Sequence, residues 1–236
     1  MFPIRDLNPT RGFAFVTIAL ILVNVAVFFF WQPFGQGSEA EVEFLYERAA
    51  IACEISEGRP LTVDDLSAGT CIEGSGGEQF FPDKNVWLAV MTSLFLHANL
   101  VHLLGNMWFL WIFGDNVEHR LNSLLFLVVY LLAGALATAG FVLLRPGEVI
   151  PLIGASGAVA GVLGAYLVFF PSRRVLAAAG LILLPVPAVI FIGLWFVAQF
   201  FVGDTGVAWE AHVAGLIAGA VLALATRPFL GRERLR

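Results

Sequence analysis

The sequence predicts an all-α membrane protein, a bundle of six transmembrane helices with a long, partly membrane-embedded outer loop between helices 1 and 2. Hydrophobic residues make up 59% of the 236 residues and charged residues only 13%, with a mean hydropathy of +0.86. A soluble domain carries about 25% charged residues. The charges are also segregated, which leaves several nearly uncharged stretches of roughly 20 residues, the length that spans a bilayer.

Six apolar stretches account for the predicted helices. They are residues 12–31, 100–117, 121–144, 154–170, a part of 176–202, and 207–226. Pro185 and Pro187 interrupt the first half of the fifth stretch. A single helix over residues 86–117 would be roughly 48 Å long, against about 30 Å of hydrocarbon core. We therefore treat residues 86–99 as a partly embedded loop and begin helix 2 at Leu100.

The predicted domain organisation follows from these stretches and from the basic residues. Residues 12–226 form one membrane domain, with the outer loop at about residues 32–99. A short N-terminal segment, residues 1–11, precedes it, and a basic tail, residues 227–236, follows it. Placing both termini in the cytoplasm puts nine of the thirteen basic residues inside, as the positive-inside rule requires. We expect a multi-pass protein of the plasma or inner membrane whose long loop lies outside.

The two cysteines, Cys53 and Cys71, both lie in the outer loop. An extracellular or periplasmic compartment is usually oxidising, and the sequence contains no other cysteine that could compete. We predict a disulfide between them.

Four polar side chains lie at one predicted depth, because helices 2, 4 and 6 all run inward from the outer face. Ser156 begins helix 4, and His212 lies about one turn into helix 6. His102 lies near the start of helix 2, with Asn106 one turn deeper on the same face. A lone serine in a membrane helix is commonly a packing residue. Polar groups in a membrane usually face a cavity or one another, so we expect these four to converge.

Small residues predict which helices touch. They line helix 4 and helix 6 at nearly helical spacing, and such surfaces let two backbones approach closely. The residues are Gly157, Gly161 and Gly164 on helix 4, and Ala211, Gly215 and Gly219 on helix 6. Contact between these faces would bring Ser156 within hydrogen-bonding reach of His212.

Several motifs on these helices together resemble one known family. They are Gly154-Ala155-Ser156-Gly157, Ala211-His212-Val213-Ala214-Gly215, His102-Leu103-Leu104-Gly105-Asn106 with His97 five positions earlier, and Glu118-His119-Arg120. In type, order and position they are similar to the motifs of rhomboid intramembrane serine proteases of the bacterial six-helix type. The resemblance covers nearly the whole chain, from Gly12 to about Thr226.

The resemblance implies a catalytic dyad without an acidic third member. Ser156 would be the nucleophile and His212 the general base and then the general acid. The backbone N–H of Ser156 and the side chains of His102 and Asn106 would stabilise the oxyanion. The reaction requires no cofactor and no metal ion. A metal site of His97, His102 and His212 is disfavoured because no acidic or cysteine ligand accompanies them.

The resemblance also implies supporting residues. Gly154 would let the chain pass close to the substrate, and His97 would support the embedded loop. Gly157 and Gly215 would support the close approach of helices 4 and 6. The remaining pair, Glu118 and Arg120, would form a structural pairing at the inner membrane boundary.

The sequence departs from the family pattern at two places. Many relatives have Trp-Arg in the first loop, where this chain has only Trp87 nearby, so another contact must steady the loop. Some relatives carry an aromatic residue four positions after the serine, which stacks on the histidine. That position is Ala160 here, so His212 must be held otherwise.

We interpret Gln199 as a polar packing residue and Trp195 as a bundle or lipid contact.

The function that these residues indicate is intramembrane serine endopeptidase activity on transmembrane segments, near the outer membrane face. The expected partners are transmembrane protein substrates and the lipid bilayer, with no nucleic acid; the oligomeric state stays open. The alternative is a non-proteolytic rhomboid-like protein that binds and routes transmembrane segments. A transporter is disfavoured, because the sequence shows no inverted repeat and no paired broken helices.

Overall fold

The computed structural model describes residues 1–10, 12–33, 37–201 and 207–230. Arg11, the predicted turn at 203–206 and the end of the basic tail, residues 231–236, lie outside the described residues. The helices are α1 (Phe15–Phe30), α2 (Glu39–Arg48), α3 (Ala52–Glu57), α4 (Val63–Ala68), α5 (Val86–Ser93), α6 (Leu100–Leu121), α7 (Ser123–Leu144), α8 (Ser156–Phe169), α9 (Ala188–Gln199) and α10 (Trp209–Thr226). The strands are β1 (Phe2–Asp6), β2 (Arg174–Ala179) and β3 (Ile182–Pro187).

The described fold is mostly helical. Two helical segments, Ser123–Leu144 and Trp209–Phe229, are long and apolar enough to cross a membrane by length and composition. Helices α1, α8 and α9 are shorter apolar helices. Helix α6 has 22 residues, and its last turns carry the charged side chains Asp115, Glu118 and Arg120. Each of these helices falls on one of the predicted apolar stretches.

Helix α8 lies at the centre of the packing, and its residues Gly157–Tyr166 are all buried. A helix that is apolar on every face is typically enclosed by other helices. It packs against α6, α7 and α10. Large side chains from α6 and α7 fill the space around it, among them Phe113, Phe126 and Tyr130. The start of α8, which carries Ser156, is thereby held among three neighbouring helices.

The fifth predicted stretch is a helix only in its second half. Residues 174–187 form the hairpin of β2 and β3, which turns at Gly180 with φ +62°. Pro185 lies on β3, an edge strand of the sheet, where the missing N–H of a proline is tolerated best. The N-terminal segment, predicted only to be short and polar, supplies β1, which pairs with β2 in antiparallel register.

The outer loop is folded around a small core of its own. Its buried cluster joins the outer loop to the segment that follows α7. The cluster consists of Ile51, Cys53 and Leu61 from the loop and Val149 from that segment. A bridge between Ala50 and Leu152 joins the same two parts. In the predicted embedded segment, residues 86–99, helix α5 is capped by the Asn85 side chain, which accepts hydrogen bonds from two backbone N–H groups. This arrangement places the outer loop over the start of α8.

Candidate active site

Ser156 is the first residue of α8, so its backbone N–H is one of the helix N-terminal donors that have no partner within the helix. Gly154, just before it, has φ +125°, a conformation that side chains disfavour. The N–H of Gly154 donates to the Ser93 carbonyl at the end of α5, at 3.0 Å. The embedded loop and α8 are thus joined directly beside the serine.

His212 lies beside Ser156, with 2.8 Å between its Nε2 and the serine Oγ. The two residues come from helices that lie in backbone contact. A Cβ added to Gly215 would lie 2.2 Å from the carbonyl oxygen of Gly157, a distance that no side chain permits. The glycine faces of α8 and α10 therefore meet, and this contact brings the serine and the histidine together.

The other side of the His212 ring is held by α9. The Nδ1 atom of His212 lies 2.6 Å from Oε1 of Gln199. The indole of Trp195 packs against the same ring, with 6.0 Å between ring centroids and an interplanar angle of 33°. These contacts give Gln199 a specific partner beyond its expected role in polar packing, and they agree with the expected role of Trp195 as a bundle contact. They also explain how the histidine is held when position 160 carries only an alanine.

One sequence signal pointed to Gln199 without revealing its partner. Among the described residues of the fifth apolar stretch, Gln199 is the only amide side chain. Polar side chains in such segments usually mark a site or a polar partner. Trp195 lies four positions earlier and therefore on the same helix face. The sequence could thus have suggested a functional face on α9, but not that this face meets His212.

His102 lies next to Gly154 and Ser156. A Cβ added to Gly154 would lie 2.9 Å from Nε2 of His102 and 3.5 Å from Oγ of Ser156. The imidazole of His102 and the hydroxyl of Ser156 therefore both border the space where a Cβ at position 154 would lie. Any side chain at position 154 would fill that space.

Asn106, one turn further along α6, is buried at 7% exposure. Its Nδ2 has no hydrogen-bond partner among the described residues. A buried, unpartnered N–H donor is costly in a folded protein, because it has given up its bonds to water. Such a donor is available to an acceptor that arrives with a ligand.

His97 is completely buried, and its ring contacts the His102 ring at 5.2 Å between centroids. Its backbone is fixed by the side chain of Gln32, which donates to the His97 carbonyl at 2.6 Å and accepts from its N–H at 3.1 Å. Gln32 follows α1 directly, so this pair of hydrogen bonds ties the embedded loop to the end of α1. Gln32 was not among the residues predicted for the site.

Glu118 and Arg120, which we predicted to pair at the inner membrane boundary, each contact another helix in the described structure. The carboxylate of Glu118 accepts hydrogen bonds from the backbone N–H groups of Val16 and Thr17, in the first turn of α1. It thereby caps that helix, whose N–H groups would otherwise lack partners. The guanidinium of Arg120 lies over the ring of Phe169, 5.0 Å from its centroid. The two residues thus fasten α6 to α1 and to α8.

Outside the site, a disulfide joins Cys53 to Cys71 in the outer loop. Beside it, the carboxylate of Asp65 is fully buried and accepts from Arg59 at 2.7 Å and from the Ile72 N–H at 2.8 Å. Burial alone would raise the pKa of Asp65, but these hydrogen bonds outweigh it and hold the pKa well below its usual range. The carboxylate thus stays ionised and binds the segments on both sides of it.

A second charged pair is buried in the same loop. Lys84 Nζ and Glu54 Oε2 lie 2.5 Å apart, and both side chains are at most 2% exposed. Burial raises the pKa of Glu54, and the ammonium of Lys84 partly offsets this. Because Lys84 lies just before α5, the pair connects α3 to the entrance of the embedded segment. Removal of either partner would leave an uncompensated buried charge.

The fold is helical, with apolar helices of the kind found in membrane proteins. Its site has a serine and a histidine in hydrogen-bond contact at the start of a central helix. The rhomboid domain family model matches residues 84–229, more than half of the chain. The chain therefore belongs to the rhomboid family. Rhomboid proteins are integral membrane proteins, and the apolar helices of this chain agree with that location.

Three curated relatives illustrate the similarity. A putative rhomboid protein of Acanthamoeba polyphaga mimivirus is 29% identical over 145 residues, which cover 60% of this chain and 77% of that protein. The putative rhomboid protease YdcA of Bacillus subtilis is 35% identical over 81 residues, covering 34% and 40%. The rhomboid protease GluP of Bacillus subtilis is 38% identical over 88 residues, covering 37% and 17%. The chain thus matches less than half the length of both Bacillus proteins.

Proposed function

We propose that the chain is an intramembrane serine endopeptidase that cleaves transmembrane segments of membrane proteins near the outer membrane face. The observation that carries this proposal is the 2.8 Å contact between Ser156 Oγ and His212 Nε2 at the N-terminus of α8. Two of the relatives in the rhomboid family are named as proteases, one of them as a putative one, which supports the same activity.

In the proposed reaction, His212 Nε2 accepts the hydroxyl proton of Ser156 while Oγ attacks the carbonyl carbon of the scissile peptide bond. The carbonyl oxygen becomes an oxyanion. The imidazolium then gives its proton to the leaving nitrogen, the C–N bond breaks, and an ester to Ser156 remains. A water molecule, deprotonated by the same ring, hydrolyses this ester and restores the hydroxyl.

Three donors would stabilise the oxyanion. The backbone N–H of Ser156 faces outward from the helix terminus, where the helix dipole also favours negative charge. The Nδ2 of Asn106 is buried and has no hydrogen-bond partner among the described residues. His102 lies beside the serine over Gly154. Donors that are already in place require no rearrangement when the charge develops.

The proposed topology has six membrane helices with both termini in the cytoplasm and the active site open to the outer side. The helices are α1, α6, α7, α8, α9 and α10. Helix α9, with 12 residues, is about 18 Å long and thus shorter than the hydrocarbon core. The hairpin of β2 and β3 precedes it within the same apolar stretch. The distribution of the arginines supports this orientation in the plasma or inner membrane.

The experiment uses the purified full chain in liposomes with a model transmembrane substrate. Wild type is compared with Ser156→Ala and His212→Ala, and with the matched controls Ser172→Ala and His119→Ala, which lie away from the site. The proposal predicts cleavage by wild type and both controls and none by the two site variants, all five being folded by thermal melting. Cleavage that survives Ser156→Ala would overturn it.

A fluorophosphonate probe makes the test independent of the choice of substrate. Labelling of Ser156 in wild type and its loss in His212→Ala would support an activated serine even where the model peptide is not cut. Absence of labelling in a folded wild-type protein would favour the alternative, a rhomboid-like protein that binds and routes transmembrane segments.

A further inference from the structure

Gln199 is the last residue of α9, and its side chain is buried at 7% exposure. Its amide contacts two groups. Oε1 lies 2.6 Å from Nδ1 of His212, and Nε2 lies 3.1 Å from the carbonyl oxygen of Trp195, one turn earlier on the same helix. Both ends of the amide are therefore engaged, one by the helix backbone and one by the histidine.

The helix backbone determines which end of the amide faces the ring. A carbonyl oxygen can only accept a hydrogen bond, so the NH₂ group of Gln199 must face Trp195. The amide oxygen, which can only accept, then faces His212. The Nδ1 atom of the ring must in turn carry a proton and donate it. In the neutral ring this leaves Nε2 unprotonated, with its lone pair toward the hydroxyl of Ser156.

This tautomer is the one that a general base requires. A ring protonated on Nε2 would donate to Ser156 Oγ and could not take its proton. We propose that Gln199 is a positioning residue, which fixes the productive tautomer and the orientation of His212. The site then has three members in line, Ser156, His212 and Gln199, of which the third is a neutral amide. The inference rests on the proposed protease function.

A neutral third member suits the place it occupies. A carboxylate would hold the same tautomer, but an ionised group on a buried face of an apolar helix pays a large desolvation cost. An amide accepts the same hydrogen bond without a charge. Trp195, on the same face of α9, packs against the ring and restricts its rotation. Helix α9 thus supplies both contacts that hold His212 on the side away from Ser156.

The first test measures the tautomer directly by ¹⁵N NMR of the histidine rings in the full chain. The chain has four histidines, so the His212 signals are assigned by their loss in His212→Ala. In wild type we expect a protonated Nδ1 and an unprotonated Nε2. In Gln199→Met, which keeps the side-chain length and removes the acceptor, this single tautomer is lost. A wild-type ring protonated on Nε2, or an unchanged ring in Gln199→Met, would overturn the inference.

The second test compares the rates of fluorophosphonate labelling at Ser156. Loss of one buried hydrogen bond predicts a rate about 10- to 100-fold lower in Gln199→Met. Gln199→Glu keeps an acceptor at the same place. Its labelling rate should therefore stay within tenfold of wild type, and the tautomer of His212 should be unchanged. A purely structural role of Gln199 predicts that both substitutions lower the labelling rate equally, and that result would contradict the inference.

Asn24→Leu provides the matched control. Asn24 is a buried amide on α1 that donates to the Leu20 carbonyl four residues earlier, as Gln199 does to Trp195, but it does not contact His212. Its removal should change neither the tautomer nor the labelling rate. The NMR result does not depend on catalysis, so the tautomer can be established even where labelling fails. Failure of labelling alone would count against the protease function.

Discussion

Gly219→Ala tests whether close contact between α8 and α10 holds the site together. A Cβ at position 219 would lie 1.9 Å from the carbonyl oxygen of Gly161, whereas real Cβ contacts are essentially never shorter than 3.0 Å. The obstacle is backbone, so no side chain can turn away and the helices must separate by about 1 Å. Overpacking of this kind costs about 1–3 kcal/mol, and backbone contact places this case near the upper end.

The magnitude can be read in two assays. A loss of about 2–3 kcal/mol lowers the melting temperature by roughly 4–12 °C for a chain of this size. The same separation would lengthen the 2.8 Å contact between Ser156 and His212 beyond hydrogen-bonding distance. A misplacement of about 1 Å can cost about 100-fold in rate, so fluorophosphonate labelling should fall by that order.

The matched control is Gly193→Ala on α9. No atom lies within 4 Å of a Cβ added there, so the substitution should be neutral or stabilise the helix by about 0.5–1 kcal/mol. Equal melting temperatures and equal labelling rates for Gly219→Ala and wild type would refute the reasoning. Equal destabilisation by the two glycine substitutions would also contradict it, because only one of them meets a backbone atom.

Two further predictions concern the oxyanion donor and the outer loop. Asn106→Leu removes a donor that has no hydrogen-bond partner among the described residues, so kcat should fall about 100-fold while the melting temperature stays near wild type. An unchanged kcat would exclude the donor role. The lowered pKa of Asp65 means that its contribution to stability is complete above about pH 4 and declines as the pH falls further. Protease resistance of the outer loop should therefore decline in acid. Asp65→Asn should abolish this pH dependence, because it weakens the loop already at neutral pH. If the variant showed the same decline in acid as wild type, Asp65 would not be the group responsible.

Much of the helical architecture was predictable, because its signals are local. The apolar stretches of α1, α6, α7, α8 and α10 stand out by hydropathy, and the structure has helices at each of them. The small-residue faces also predicted which two helices meet, since small side chains let two helix backbones approach closely. Ser156 and His212 were marked by motifs, and the structure places them together.

The hairpin at residues 174–187 could not be predicted in the same way. A short apolar run is compatible with a strand or a buried helix, and periodicity does not separate the two. In addition to the pairing of β2 with β3, β1 from the far end of the chain pairs with β2, and no local pattern indicates that pairing. Glu118 shows the same limit, since its partners on α1 are about 100 positions away in sequence.

The sequence by itself determined the class of protein, its apolar helices and the serine and histidine of the candidate site, because composition, helical spacing and short motifs carry this information locally. Tertiary structure alone decided what holds His212. Gln199 and Trp195 were visible as polar and aromatic residues on one face of α9, but their meaning depends on the packing of α9 against α10. That packing is a sum of many distant contacts, and no local pattern in the sequence records it.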